Sequence, residues 1–280
     1  MIYVNGDSFT AGTGLSDHEF VPDFEKYNID NISVYDYYKL REKALDNSEE
    51  LYKLYKTRNK ELSWSARLSK ILGTKVINAG EGGSSMSSIG YRTMLDLTKL
   101  QMEGITPERV IIMLTDENRV TLIQTNRTVN SNPYDLRDVS RGWLESIVLG
   151  SHESTSVLDP FIKETLLLQS TNDLIIKWLV EVALVKNIVK SLTGKYPIIT
   201  APEFVVRYAV TELKKVNLHT NQLFSELFSA SDILNIDYTL LMYPVNPPLP
   251  DRHYNNKTHA VFAEKIATYI QTLNNKENNI

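Results

Sequence analysis

The chain has 280 residues, 42% hydrophobic and 23% charged, with a formal net charge of -4. That balance supports a buried core and gives no chain-wide reason to expect a nucleic-acid or anionic-membrane partner. The absence of cysteine excludes disulfides, thiolate nucleophiles and Cys-based zinc sites.

Residues 1–14 hold the first chemical signal. Ile2, Tyr3 and Val4 read as a short buried strand, and Gly6-Asp7-Ser8 follows at once, with Gly12 and Gly14 close behind. A buried strand ending in a Gly-rich turn is where a parallel α/β sheet exposes functional groups. Ser8 is then expected at the start of the next helix, a place that suits a nucleophile. An Asx-type turn that merely closes the strand explains the same tripeptide. No charged and apolar leader precedes the strand, so no secretory signal is expected.

Residues 15–32 are polar and irregular. Val34 to about Asn59 reads as helix, with Tyr35, Tyr38, Leu45, Leu51, Leu54 and Tyr55 among charges and no Gly or Pro. Trp64 to Leu72 is a second amphipathic helix, with Gly73 as its C-cap. Lys75 to Asn78 reads as a strand that runs into Ala-Gly-Glu-Gly-Gly83-Ser. This segment has neither the Lys of a phosphate loop nor dinucleotide-site glycine spacing. A helix is expected from about Met86 to Glu103, and Arg109 to Leu114 is the clearest buried strand. It ends in Thr115-Asp-Glu-Asn-Arg119.

Residues 120–160 read as loop with short helical pieces and a turn at 130–133. A long helix is expected from about Pro160 to Thr193. Its apolar run from Leu174 to Val189 is broken by Lys177, Glu181, Lys186 and Asn187, so it does not read as a membrane span. Tyr196 to Thr200 is a fourth strand, helices are expected near 203–215 and 220–229, and Ile233 to Tyr243 holds a fifth strand. The proline-rich loop from Pro244 to Pro250 leads into Asp251-Arg-His253, and Ala260 to Leu273 is a terminal helix. Alternating strands and helices argue for a mainly parallel sheet covered by helices. No composition break marks a linker, so one domain over 1–280 is expected, with insertions at about 15–60 and 120–195.

In an open parallel sheet the strand C-termini share one edge. Ser8, Gly83 and Thr115 to Arg119 are neighbours by that rule, and the His253 loop can fold over the same edge. A serine needs a base, and the base needs a group that fixes its tautomer. Ser8, His253 and Asp251 supply these types. His259 is expected to be structural. His18, His152 and His219 have no ligand spacing, so no metal site is expected.

The chain resembles the SGNH/GDSL hydrolase family. The resemblance lies in Gly6-Asp7-Ser8, in Asn78-Ala-Gly-Glu-Gly-Gly83-Ser, in Asp251-Arg-His253, and in Trp64 and Leu68, all in the family's order. It implies a three-layer α/β/α flavodoxin-like fold with a five-stranded sheet, and cofactor-free hydrolysis of esters such as O-acetyl groups on glycans. It also implies Ser8 as nucleophile, His253 as base, Asp251 as its orienting acid, and the N–H groups of Ser8 and Gly83 in the oxyanion hole. Two departures stand out. Glu117 occupies the slot of the family's oxyanion-hole asparagine, which makes Asn118, Arg119 and Thr115, in that order, the candidate substitutes. The spacing from Asp to His is two residues where the family usually has three. Thr115 and Arg119 are similar to a variant of this block in bacteriophage-encoded members. The expected partner is a small-molecule or glycan ester, in the cytoplasm or on a virion. The alternative is a catalytically weak domain that binds glycans or builds a virus particle.

Overall fold

The computed structural model describes residues 1–45, 48–115, 119–123, 144–148, 171–206 and 240–277. The fold is α/β, with a mainly parallel five-stranded sheet and flanking helices. The chain divides into two compact units, 1–82 with 237–280, and 83–236.

The first unit begins with β1 (Ile2–Asn5), buried along its whole length. It lies parallel to β2 (Val76–Asn78), with Tyr3 opposite Ile77. A single helical turn, α1 (Ser8–Ala11), follows β1, and α2 (Asp17–Phe20) is equally short. The helix expected over 34–59 is instead two, α3 (Val34–Leu45) and α4 (Glu49–Leu62). The apolar pattern continues through the break. The start signal lies inside it: Ser48 accepts the N–H of Leu51, and Glu49 and Glu50 occupy the first turn of α4, where carboxylates are favoured.

Helix α5 (Trp64–Leu72) ends at Gly73, whose φ of 60° is left-handed. Its buried Trp64 and Leu68 face the terminal helix, here α8 (Asn256–Glu277). Trp64 meets Phe262 edge-on with ring centroids 5.2 Å apart. Phe262, Ala263, Ile266, Ala267 and Ile270 form the buried stripe of α8, at the spacing of one helical face. Within the fifth expected strand, the described residues include β7 (Leu241–Met242).

The second unit pairs α6 (Met86–Met102) with α7 (Thr171–Thr193). Gly90 permits their approach, since a Cβ there would lie 2.8 Å from Val185. Strand β3 (Arg109–Met113) runs parallel to β6 (Ile198–Pro202), with Ile112 opposite Ile199. The expectation of loop and short helical pieces over 120–160 is corrected at 120–123 and 144–148, the described part of that range. Strands β4 (Arg119–Ile123) and β5 (Leu144–Val148) pair antiparallel, Thr121 opposite Ser146. Both are rich in β-branched residues, which favour strands. The 20 residues between them are too many for the short turn that marks a hairpin in sequence.

The expected turn at 130–133, the long helix before residue 171, helix at 207–215 and 220–229, and the fifth strand before residue 240 lie outside the described residues. No helix among the described residues is long and apolar enough to cross a membrane.

Candidate active site

Asp7 is the N-cap of α1: its Oδ1 accepts the N–H of Phe9 at 3.0 Å, and its backbone oxygen accepts from Thr10 and Ala11. The Asx-type turn is therefore present, and it sets Ser8 as the first residue of α1. The N–H of a first helical residue has no acceptor inside its own helix. Ser8 is buried, and its Oγ has no hydrogen-bond partner among the described residues. Thus Ser8 and His253 share no hydrogen bond in this state.

The turn after β2 presses on α1. Asn78 ties it down: its Nδ2 donates to Thr10 O at 2.9 Å and to Ser65 Oγ at 2.7 Å, and its Oδ1 accepts the Gly80 N–H. At Gly80 a Cβ would lie 2.6 Å from the Thr10 side chain, so only glycine permits this approach. Gly82 passes beside the nucleophile candidate, with its ideal Cβ position 3.9 Å from Ser8 Cβ. Sequence reasoning singled out Gly83, which opens the second unit with a φ of 79°.

Asp251 and His253 are brought together. Nδ1 of His253 lies 2.8 Å from Oδ2 of Asp251, and the His253 N–H donates to Oδ1 at 3.1 Å. One carboxylate thus lies within ion-pair distance of the ring and accepts from the backbone of the histidine. The two-residue spacing works because Arg252 adopts a left-handed conformation, φ 65°. The turn is closed by Arg252 N–H to Leu249 O at 2.8 Å and Leu249 N–H to His253 O at 2.9 Å. The Asp251 side chain is fully buried, while 13% of the His253 side chain is exposed, so the ring can meet both the acid and an incoming molecule. Its ring packs on Phe9, the neighbour of Ser8, at 5.3 Å between centroids.

Behind Asp251 stands a group of buried polar residues that sequence reasoning missed. Arg41 Nη2 donates to Oδ2 of Asp251 and also to Oδ2 of Asp17, which Arg41 Nε reaches at 3.0 Å. Tyr37 and Tyr55 donate their hydroxyls to the two oxygens of Asp17, each at 2.8 Å. Asn59 anchors the neighbouring Ser16 by accepting from its N–H and hydroxyl, both at 2.8 Å. Burial acts to raise the pKa of Asp251, but His253 and Arg41 outweigh it and hold the carboxyl well below the usual range. Burial dominates at Asp17 and raises its pKa against the pull of Arg41. The only sequence signal was an Arg and two Tyr at helical spacing on α3 and α4, which reads as a packing face.

Thr115 follows β3, fully buried, and its carbonyl accepts the Trp178 indole N–H at 2.8 Å. Arg119 opens β4. Glu117 and Asn118 lie outside the described residues, as do His152 and His219. His259 is buried at the start of α8, where its Nδ1 accepts the Trp64 N–H at 3.1 Å. Among the described residues no group of three or more His, Asp or Glu is placed to hold a metal ion.

No family model matches the chain, and no curated protein matches it. Among solved structures it is similar to a protein described as lipolytic and of the G-D-S-L family, from Desulfitobacterium hafniense DCB-2. That likeness has 14% identity over 95% of this chain and 97% of the other, with a TM-score of 0.38. It is also similar to a carbohydrate esterase whose active site is described as displaying divergent catalytic and non-catalytic binding functions. There the identity is 12% over 97% of this chain, with a TM-score of 0.42, and the chain spans 64% of that protein's length.

Proposed function

We propose that the chain is a serine hydrolase that cleaves carboxylic esters, with O-acetyl groups on a glycan as the leading substrate class. The observation that carries this reading is the Asp251–His253 pair at 2.8 Å, packed on the residue next to Ser8. An acid held at Nδ1 fixes the tautomer that leaves Nε2 free to accept a proton. The family resemblance of the three motifs supports the same roles.

In this reading Ser8 Oγ attacks the ester carbonyl while His253 Nε2 takes its proton. The tetrahedral oxyanion is held by backbone N–H groups at Ser8 and Gly83 and by a third donor, Asn118, Arg119 or Thr115. Collapse expels the alcohol, which receives the proton from His253, and leaves an acyl group on Ser8. Water, deprotonated by His253, then releases the acid. Asp251, held strongly acidic, stays ionised and stabilises the imidazolium that forms twice per cycle.

A second reading is a glycan-binding domain of the same build, favoured by the absence of a hydrogen bond from Ser8 Oγ to His253. Turnover of p-nitrophenyl acetate by wild type, Ser8→Ala and Asp251→Asn separates the two. A serine hydrolase loses its burst and its turnover in Ser8→Ala, and Asp251→Asn lowers kcat by on the order of 10³–10⁴ with little change in KM. Equal rates in wild type and Ser8→Ala would reject the esterase reading for that substrate class. Labelling by a fluorophosphonate, mapped to Ser8, is the independent check.

A further inference from the structure

We propose that Arg41 and Asp17 are positioning residues that set the orientation of Asp251 and the proton affinity of His253, so that Asp17, Arg41, Asp251 and His253 act as one buried charge chain. The inference rests on the proposed role of His253 as base and adds two residues to it.

The geometry is specific. Arg41 is 6% exposed and joins two carboxylates through one nitrogen, Nη2. Asp251 Oδ2 is therefore shared between Arg41 and Nδ1 of His253. A carboxylate held from two sides has no freedom to turn away from the ring. Asp17 in turn receives four donors, Tyr37, Tyr55 and two nitrogens of Arg41, which is the pattern of an ionised acceptor. Gly14 packs against the same pair, since a Cβ there would lie 2.9 Å from Asp251 Oδ2 and 3.3 Å from Arg41 Nη2.

The charges along the chain decide what it does. With the imidazole neutral, Asp17, Arg41 and Asp251 sum to one negative charge, and protonation of His253 brings the group to neutrality. Proton uptake by the base therefore cancels a buried charge. The other titratable and charged groups around the chain do not oppose this. Arg252, on the same turn, is exposed. His259 on α8 is neutral, because burial, and next the charges of Arg67 and His253, push its pKa down to about 3. Tyr37 and Tyr55 keep their protons, as burial and then Asp17 raise both pKa values. The adjacent face of α1 contributes the Phe9 ring.

The test is the titration of His253, read from its Cε1–H resonance in the full chain, so it does not depend on any substrate. Removing the cation in Arg41→Gln leaves the ring beside an uncompensated carboxylate and shifts its midpoint up by about one pH unit. Removing the far anion in Asp17→Asn shifts it down by about half a unit. Arg41→Lys keeps the charge and restores the midpoint to within about 0.3 units of wild type. In any variant with esterase turnover, the acid limb of kcat/KM moves with the midpoint. Mere loss of packing would not move the midpoint in opposite directions. A His253 midpoint unchanged in both Arg41→Gln and Asp17→Asn, or shifted the same way in both, overturns the inference. If Arg41→Gln fails to fold, the direction of shift in Asp17→Asn and the value in Arg41→Lys decide alone. Shifts as expected in a protein with no Ser8-dependent turnover would keep the charge chain and reject the esterase reading.

Discussion

Lowering the pH from 8 to 5 should destabilise the first unit through a single buried imidazole. His259 is 1% exposed, and its Nδ1 accepts the backbone N–H of Trp64, so that nitrogen carries no proton in the folded state. Burial, followed by the charges of Arg67 and His253, pushes its pKa down to about 3, whereas an unfolded chain titrates near 6.5. Between those values the unfolded state binds a proton that the folded state does not. Stability from this group is therefore complete above about pH 6.5 and is lost progressively as pH falls toward about 3. At pH 5 the loss is about 2 kcal/mol, levelling off at roughly 5 kcal/mol below pH 3.

Urea unfolding at pH 8 and pH 5 measures the loss. The reference is His259→Asn, whose amide oxygen can take the place of Nδ1 as acceptor for Trp64. Other carboxylates and histidines titrate in both proteins, so the difference between the two pH dependences isolates position 259. Wild type should lose about 2 kcal/mol more than the variant over this interval, seen as roughly 4–8 °C in the melting temperature. Equal losses in the two proteins, or a His259 resonance that titrates near 6.5 in the folded state, would refute the reasoning.

Three further outcomes follow from the same geometry. Gly14→Ala meets both a φ of 85° and a carboxylate 2.9 Å from the new Cβ, and should cost about 2 kcal/mol in urea unfolding, with weaker turnover because Asp251 is displaced. Arg252→Gly should raise stability by about 1 kcal/mol, because the left-handed φ of 65° suits glycine, whereas Arg252→Val should lower stability and turnover together. Of Asn118→Ala and Arg119→Ala, the one that removes the third oxyanion donor should lower kcat by about 10²–10³ with KM nearly unchanged; no effect from either favours the glycan-binding reading.

What was legible in the sequence is what local patterns encode. The apolar run at 110–113, the Trp64–Leu72 helix with its Gly73 cap, and the Asp7-Ser8 turn each carry their signal within a few residues. So does the Asp251–His253 pair, where a two-residue spacing and a permissive turn are enough for contact. The break between α3 and α4 was hidden because Ser48 sits inside an uninterrupted helical pattern. The β4–β5 ladder was hidden because its pairing spans 20 intervening residues. The Arg41–Asp251 contact joins positions 210 apart, and no periodicity on either segment points to the other. Its residues also look ordinary in isolation: two tyrosines and an arginine on helices are the usual cover of a core.

That hidden contact also bears on the two-residue spacing of Asp251 and His253. A buried ion pair rarely repays its own desolvation, and hydrophobic replacements of similar volume are often as stable. Here three charged side chains are almost wholly enclosed, with Asp17 and Asp251 at 0% and Arg41 at 7% side-chain exposure. Stability alone is therefore a weak reason for such a group. Orientation is a stronger one. The Asp251-Arg252-His253 turn depends on one left-handed residue, Arg252. Arg41 adds an anchor for Asp251 from α3, and Asp17 holds that arginine in turn. On this argument the two-residue spacing and the buried Arg41–Asp17 pair are parts of one arrangement. Lengthening the turn by one residue between Asp251 and His253 should then make turnover less sensitive to Arg41→Gln. If the lengthened turn leaves that sensitivity unchanged, the two features are independent.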